Sequence, residues 1–217
     1  MRSALTISMM RIDSVASAPD RAGRHEVRFA DGTTMRLYRQ TVEDFGIYPG
    51  MEMHEEVYGQ LVVAAGQTSA KMRAVRIVSA SSVSKKDLER RLVQKGEDPT
   101  QARQAVEWMS ELNLLDDRKT AEQIVHSCIS KGYGRARAKQ ALYEKRIPKE
   151  LWDDVLADYP DQMEKIVAFL QSRIGGDADE KTIRKATDAL IRRGHSYAQI
   201  RSALRMVADG CDVEEDF

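Results

Sequence analysis

The chain has 217 residues, of which 42% are hydrophobic and 31% are charged, and its formal net charge is zero. A chain of this length and composition can bury a substantial core, which excludes an intrinsically disordered protein. No apolar run approaches the roughly 20 residues needed to cross a bilayer. We therefore expect a cytoplasmic protein without membrane contact.

The charges are unevenly distributed along the chain. Residues 66–151 hold 18 basic and 11 acidic side chains, a net charge of +7. Residues 152–217 hold 9 basic and 14 acidic side chains, a net charge of −5. A segment as basic as the first predicts an anionic partner, and the acidic C-terminal part is placed to oppose or tune that contact.

The N-terminal part predicts a small module that contains both strands and helices. Polarity alternates through 27–29 and 35–37 on either side of Asp31-Gly32, which is typical of a β-hairpin. The other elements expected in this module are, in chain order, a strand over 6–15, a short helix capped by Thr41 and stopped at Gly46, and a helix from about residue 52 to 65.

From about residue 68 onward the sequence predicts helices throughout, because apolar residues recur at helical spacing. Helix-start signals stand in front of them. Asp98-Pro99 puts a capping side chain before a proline at the first helical position, and Asp116 opens the next helix. Residues 84–87 and 196–199 have the spacing of a capping box.

The helical part repeats one pattern three times. In each copy a leucine is followed three residues later by a basic residue, then by a turn and a capped helix. The leucines are Leu92, Leu142 and Leu190. A period of about 50 residues indicates tandem three-helix units, and the alternative is chance similarity among amphipathic helices.

The predicted fold class is therefore mainly α, with three tandem three-helix repeats in an elongated and curved array, preceded by a small α+β module with a β-hairpin. The predicted divisions are the N-terminal module at 1–66, repeats at 67–114, 115–159 and 160–209, and an acidic tail at 210–217.

Catalytic and metal-binding patterns are missing from the sequence. It contains no phosphate-binding loop, no zinc-binding His-Glu-x-x-His and no nucleophile beside a recognisable base. We interpret Asp116-Asp117 and Asp153-Asp154 as helix caps and first-turn acids rather than Mg²⁺ ligands. Cys128 and Cys211 fit no metal or redox spacing, which predicts free thiols in a reducing compartment. We expect a protein that is not an enzyme and has no cofactor or metal.

Basic side chains concentrate on the second helix of each predicted repeat. If the units stack side by side, these helices form a discontinuous basic stripe suited to phosphates or acidic protein loops. The alternative is an ordinary solvated helix face. Because aromatic residues are sparse nearby, we do not expect a binder that stacks single-stranded bases. The residues of this basic stripe are Lys85, Lys86, Arg90, Arg91, Lys95, Arg135, Arg137, Lys139, Lys145, Arg146, Arg184, Lys185, Arg192 and Arg193.

Several motifs resemble those of the RecX regulatory proteins, modulators of the RecA recombinase. The most specific is 112–117, Leu-Asn-Leu-Leu-Asp-Asp, which resembles the start of that family's second repeat. Residues 84–96 and 134–147 resemble its first and second basic helices, and the hairpin with 45–50 resembles the β-containing extension of many members. This chain departs from the family where Arg146 stands in place of the usual glycine.

Two further departures are local. Ser81-Ser82-Val83 replaces a turn that is usually of Arg-Pro-Arg type, so the first repeat does not carry the family's full basic surface. Thr120 replaces a common aromatic before Ala121, which is a change in packing.

The resemblance implies a protein that binds along the helical groove of the RecA–DNA filament. It implies that the protein suppresses filament extension, ATP hydrolysis, strand exchange and coprotease activity, and that it touches single- or double-stranded DNA weakly or within the filament. We expect a monomer, and the helix from Arg135 to Arg146 is the leading candidate for the contact.

Two other classes of function remain open. One is a helix-turn-helix-type transcription regulator that binds duplex DNA, for which a sequence-specific footprint on naked DNA is the test. The other is a scaffold with no nucleic-acid role, for which binding insensitive to salt is the test.

Overall fold

The computed structural model describes residues 9–174 and 179–211, which form two compact units. The first unit comprises the described residues up to Ser81 together with Leu88–Leu115. The second comprises Ser82–Asp87 and the described residues from Asp116 onward. Helices dominate both units and one small antiparallel sheet lies in the first, which confirms the prediction of a mainly α protein with a small N-terminal α+β module. Within the described ranges, no helix is both long enough and apolar enough to cross a membrane.

The sheet has four strands in the order β3-β2-β1-β4. Its strands are β1 (Met9–Val15), β2 (Arg24–Phe29), β3 (Thr34–Tyr38) and β4 (Glu52–His54). The predicted hairpin is confirmed as β2 and β3, where Val27 faces Met35 and Gly32 takes a φ of 87° in the turn. Of the strand predicted over 6–15, residues 6–8 lie outside the described part.

Two local predictions in this module are wrong. Thr41 does not cap a helix, because α1 (Arg39–Asp44) follows β3 directly and contains Thr41 as a buried residue, whose hydroxyl donates to the Thr68 hydroxyl at 3.3 Å. The helix predicted from about residue 52 begins later, because β4 occupies its start and pairs with β1. A three-residue strand is too short to show alternation in the sequence.

One long helix dominates the first unit. α2 (Glu55–Ala80) runs without a break through residue 66, where the sequence places the end of the N-terminal module. Its Leu61 is fully buried in the core under the sheet, and Ser69 and Arg73, further along the helix, bond the Glu97 carboxylate beside α4. The other helices of this unit are α3 (Lys85–Gln94), of which the part from Leu88 belongs to it, and α4 (Pro99–Glu111).

The second unit contains two separate cores, each made by three helical segments. Its elements are α5 (Asp117–Ser130), α6 (Arg135–Glu144), a 3-10 turn (Lys149–Leu151), α7 (Trp152–Leu156), α8 (Met163–Gln171), α9 (Glu180–Arg192) and α10 (Tyr197–Cys211). The first core gathers Ala121 of α5, Leu142 of α6 and Leu156 of α7. The second gathers Ile166 of α8, Leu190 of α9 and Ile200 of α10. The predicted tail at 210–217 lies outside the described residues beyond Cys211.

The predicted helix starts are confirmed by their hydrogen bonds. The Asp98 carboxylate accepts from the main chain of Thr100, and that of Asp116 accepts from Arg118. Ser196 and Gln199 bond reciprocally in a complete capping box. The sequence predicts these helix starts correctly because a capping side chain and its main-chain partner lie within three residues of each other.

The three leucine turns share one hydrogen-bond pattern. The main-chain N–H five residues after each leucine donates to the leucine carbonyl, and the residue just before that donor is left-handed, as in Schellman helix endings. The bonds run from Glu97 to Leu92 at 3.1 Å, from Ile147 to Leu142 at 3.0 Å and from His195 to Leu190 at 3.2 Å. The left-handed residues are Gly96, Arg146 and Gly194, with φ of 90°, 56° and 86°.

Candidate functional site

The predicted basic stripe is divided between the two units. Arg90, Arg91 and Lys95 belong to the first unit, and the other members belong to the second. We call the second-unit members the basic track. The basic track consists of Lys85, Lys86, Arg135, Arg137, Lys139, Lys145, Arg146, Arg184, Lys185, Arg192 and Arg193.

The C-terminal end of α9 contacts the N-terminal end of α6. The Gly134 N–H, immediately before α6, donates to the Arg193 carbonyl at 2.9 Å. His195 Nε2 lies 3.0 Å from the carbonyl oxygen of Gly132. These bonds join the end of α9 to the start of α6. Arg192 and Arg193 at the end of α9, and Arg135 at the start of α6, are therefore next to this main-chain contact in the sequence.

This contact requires glycine on both sides. A Cβ atom at Gly134 would collide with the carbonyl oxygen of Gly194, and one at Gly194 would collide with the main-chain nitrogen of Arg137. The backbones therefore approach as closely as two polypeptide chains can. The sequence indicated a helix end followed by a turn at 132–134, and nothing in it pointed to the partner turn.

A second contact joins the C-terminal end of α6 to the N-terminal end of α3. The Ser84 hydroxyl donates to the Lys145 carbonyl at 2.6 Å and accepts from the main-chain N–H of Asp87 at 3.1 Å. The Asp117 carboxylate accepts from the main-chain N–H of Lys85 at 2.8 Å. Ser84 is fully buried, so this bonding is shielded from water.

The two contacts put the basic helices end to end. α9 leads into α6, and α6 leads into the start of α3, so Arg192 approaches Arg135 and Arg146 approaches Lys86 through their neighbouring main chains. This differs from the side-by-side stacking expected from the sequence.

The cations of the basic track differ in how they are held. Arg137 Nη1 donates to Glu144 Oε1 at 3.0 Å, which raises the pKa of the Arg137 guanidinium and lowers the pKa of the Glu144 carboxyl. The Arg193 guanidinium stacks 4.6 Å from the centre of the Phe169 ring. Arg135 and Lys139 are exposed on the surface of α6. These two side chains are therefore open to an approaching anion, as are the other exposed members of the basic track.

A cleft of about 540 Å³ opens beside the end of α6. Tyr143, whose surface is 64% exposed, and Trp152 line it. The charged residues of the lining are Lys86, Arg146, Lys149, Glu144 and Glu150. The Trp152 ring is fixed because its Nε1–H donates to the Ile147 carbonyl at 3.1 Å. The sequence did not single out Trp152, because only the fold of the chain after Pro148 brings it beside α6.

The residues considered for other chemistry have structural roles. Within the described ranges, no three His, Cys, Asp or Glu side chains are grouped to hold a metal ion. Asp116 caps α5, and Asp153 and Asp154 lie in the first turn of α7, as interpreted from the sequence. Cys128 is a buried free thiol whose pKa is raised by burial, which disfavours the reactive thiolate.

The fold defines a class of protein, a mainly helical protein with a small N-terminal antiparallel sheet and cores built from three helical segments. A family model described as "RecX, second three-helix domain" matches residues 116–156. A regulatory protein RecX of Trichlorobacter lovleyi is 30% identical over 138 residues, which cover 60% of this chain and 90% of that protein. The regulatory protein RecX of Halorhodospira halophila is 29% identical over 144 residues, or 64% of this chain and 89% of that one.

Two solved structures share the fold. A crystal structure of regulatory protein RecX has a TM-score of 0.58 at 18% identity and covers 92% of this chain and 99% of its own. That of RecX from Lactobacillus salivarius has a TM-score of 0.57 at 21% identity and covers 66% and 97%. The chain belongs to the RecX family, a family of regulatory proteins.

Proposed function

We propose that this chain binds the RecA–DNA filament through the basic track and inhibits filament extension, ATP hydrolysis, strand exchange and coprotease activity, without catalysing a reaction of its own. Membership of a regulatory family supports the general role. The observation that carries the specific role is the pair of helix junctions at Gly134 and Ser84, which order the cations of three helices end to end.

A line of cations suits a helical, anionic partner. Neutralised phosphates release counterions, so affinity depends steeply on salt. The repeats proposed at 67–114, 115–159 and 160–209 each contribute one basic helix, so one molecule has several separate points of contact. Such multipoint binding resists dissociation, because each contact holds the others near their partners.

The cleft beside α6 supplies an anchor for this contact. An exposed Tyr143, a fixed Trp152 and the cations Lys86 and Arg146 are the residue types that dominate binding energy in interfaces. We propose that an acidic segment of the filament enters this cleft, so that the basic track binds both protein and DNA.

The test is RecA-catalysed ATP hydrolysis and strand exchange on single-stranded DNA with the protein titrated in. Replacing Arg135 and Lys139 by Gln removes two exposed charges of the basic track. We expect the concentration needed for half-maximal inhibition to rise about five- to tenfold. Adding Arg137→Gln, which also breaks the bond to Glu144, should increase the effect.

The matched control replaces Arg201 and Arg205 by Gln, which removes two exposed charges from α10 instead. Inhibition should change less than about twofold, since exposed charges outside a contact contribute little. Equal loss in both double variants would reject the basic track as the contact surface. A sequence-specific footprint of the wild-type protein on naked duplex DNA would favour a transcription regulator instead.

A further inference from the structure

The first unit contains a concentration of cations of its own. A cavity of about 460 Å³ lies between the sheet and the helices α2 and α3. None of its lining residues is acidic, and we call it the first-unit pocket. The charged and hydroxyl-bearing residues that define it are Arg24, Tyr38, Arg73, Arg76, Ser81, Arg91 and Lys95.

These cations come from separate segments of the chain, so only the folded unit brings them together. Arg24 and Arg73 each form an ion pair with an acid that does not line the cavity. Arg24 pairs with Asp20 at 2.7 Å and lowers the pKa of that carboxyl to about 2, and Arg73 pairs with the buried Glu97 at 2.6 Å. Arg76 and Lys95 are exposed, and they give the pocket a positive surface for a ligand.

Arg76 is held in a fixed orientation. Its Nη2 donates to the Ala22 carbonyl and to the Tyr38 hydroxyl, each at 2.8 Å, and the guanidinium lies 5.9 Å from the centre of the Tyr38 ring. Both bonds use one nitrogen of a group that carries five N–H donors. The Nε–H and the two Nη1–H donors remain for single hydrogen bonds to an anion, and the two existing bonds fix the direction in which they point.

We propose that the first-unit pocket binds the phosphate groups of a nucleic-acid strand. Backbone recognition needs cations and hydrogen-bond donors but no apolar anchor. The lining of this pocket fits that need, because its aliphatic part is limited to Ile77 and two alanines. A protein partner would instead need an apolar recess for its anchoring side chains. The proposal does not depend on the proposed function, because it concerns the chain without RecA.

The probe is a fluorescein-labelled single-stranded thymidine 20-mer, with its binding to the full chain followed by anisotropy at several salt concentrations. The variant Arg76→Gln with Lys95→Gln should weaken binding about five- to tenfold and reduce the slope of log affinity against log salt by about 1.4. Tyr38→Phe, which removes only the hydroxyl that holds Arg76, should weaken binding by a smaller factor. Far-ultraviolet circular dichroism and thermal unfolding establish that each variant is folded.

The matched control is Arg28→Gln with Arg36→Gln, which removes two exposed charges from the same sheet, outside the pocket. Equal weakening in both double variants overturns the proposal, because it indicates a general charge effect. The proposal is also overturned if the pocket variant binds the 20-mer as tightly as the wild type does. This holds even if inorganic pyrophosphate or a polyglutamate peptide competes for the first-unit pocket. Pocket-dependent binding of the 20-mer with an intact control supports the proposal.

Discussion

Arg146 occupies a position that glycine occupies in the other two repeats. Its φ of 56° lies in the left-handed region, beside 90° for Gly96 and 86° for Gly194. A residue with a Cβ atom is strained there, whereas glycine is not. The helix ending is the same in all three repeats, so this chain keeps the turn and carries the strain.

Replacing Arg146 by Gly should therefore stabilise the protein. We expect the free energy of unfolding to rise by about 1 kcal/mol, measured by urea denaturation. The control is Arg146→Gln, which removes the same charge and keeps the Cβ atom. If the Gln variant is stabilised as much as the Gly variant, charge repulsion rather than backbone strain is the cause.

His195 makes stability depend on pH. It is 5% exposed, Nε2 bonds the Gly132 carbonyl, and Nδ1 has no hydrogen-bond partner among the described residues. Burial, with a smaller effect of Arg193, lowers the pKa of the imidazole below its usual 6.5. The unfolded chain thus takes up a proton at a higher pH than the folded chain, so stability falls as pH drops below about 6.5.

Between pH 7.5 and pH 5.5, we expect the melting temperature of the wild-type protein to fall further than that of His195→Gln. Glutamine keeps a donor for the Gly132 carbonyl and does not titrate in this range. The control is His126→Gln, at an exposed position on α5. Its melting temperature should fall as much as that of the wild type. Identical losses in all three proteins would show that His195 does not govern this dependence.

At the scale of elements, the junction between α6 and α9 brings the ends of two basic helices into contact. Gly134→Ala adds a Cβ atom where the carbonyl of Gly194 stands. Gly134 has a φ of −76°, which alanine adopts freely, so the expected effect is steric alone. We expect a loss of about 1–3 kcal/mol in the free energy of unfolding, with weaker inhibition of RecA as the helix ends move apart.

Gly59→Ala is the matched control for this prediction. Gly59 lies within α2, and a Cβ atom there meets no described neighbour within 4 Å. The same substitution should stabilise this helix, by about 1 kcal/mol, because alanine has the higher helix propensity. A Gly134→Ala protein as stable as the wild type would show that the two turns can separate without cost.

At the same scale, sequence prediction succeeded where the interaction is local. The caps at Asp98 and Asp116 and the box at 196–199 lie within one helical turn and were read directly. It failed at Thr41, because α1 begins two residues earlier and its N-cap is Tyr38, the extended last residue of β3. It also failed at β4, whose partner β1 lies about 40 residues away.

At the scale of the whole molecule, the repeat was visible because three leucine turns have similar sequences, and the same turns have the same hydrogen bonds. The sequence also showed which helices are basic, because the lysines and arginines of a predicted helix can be counted without knowing the fold. Trp152 was missed, because it joins the cleft only after the chain turns at Pro148.

The sequence by itself determined which helices form, where they are capped, and that three of them are basic, because propensity, capping and charge are properties of neighbouring residues. Only the tertiary structure decided that α9, α6 and the start of α3 meet end to end, and that Arg24, Arg76 and Lys95 surround one cavity. Those arrangements depend on contacts between residues that are tens of positions apart, and no local pattern specifies such a contact.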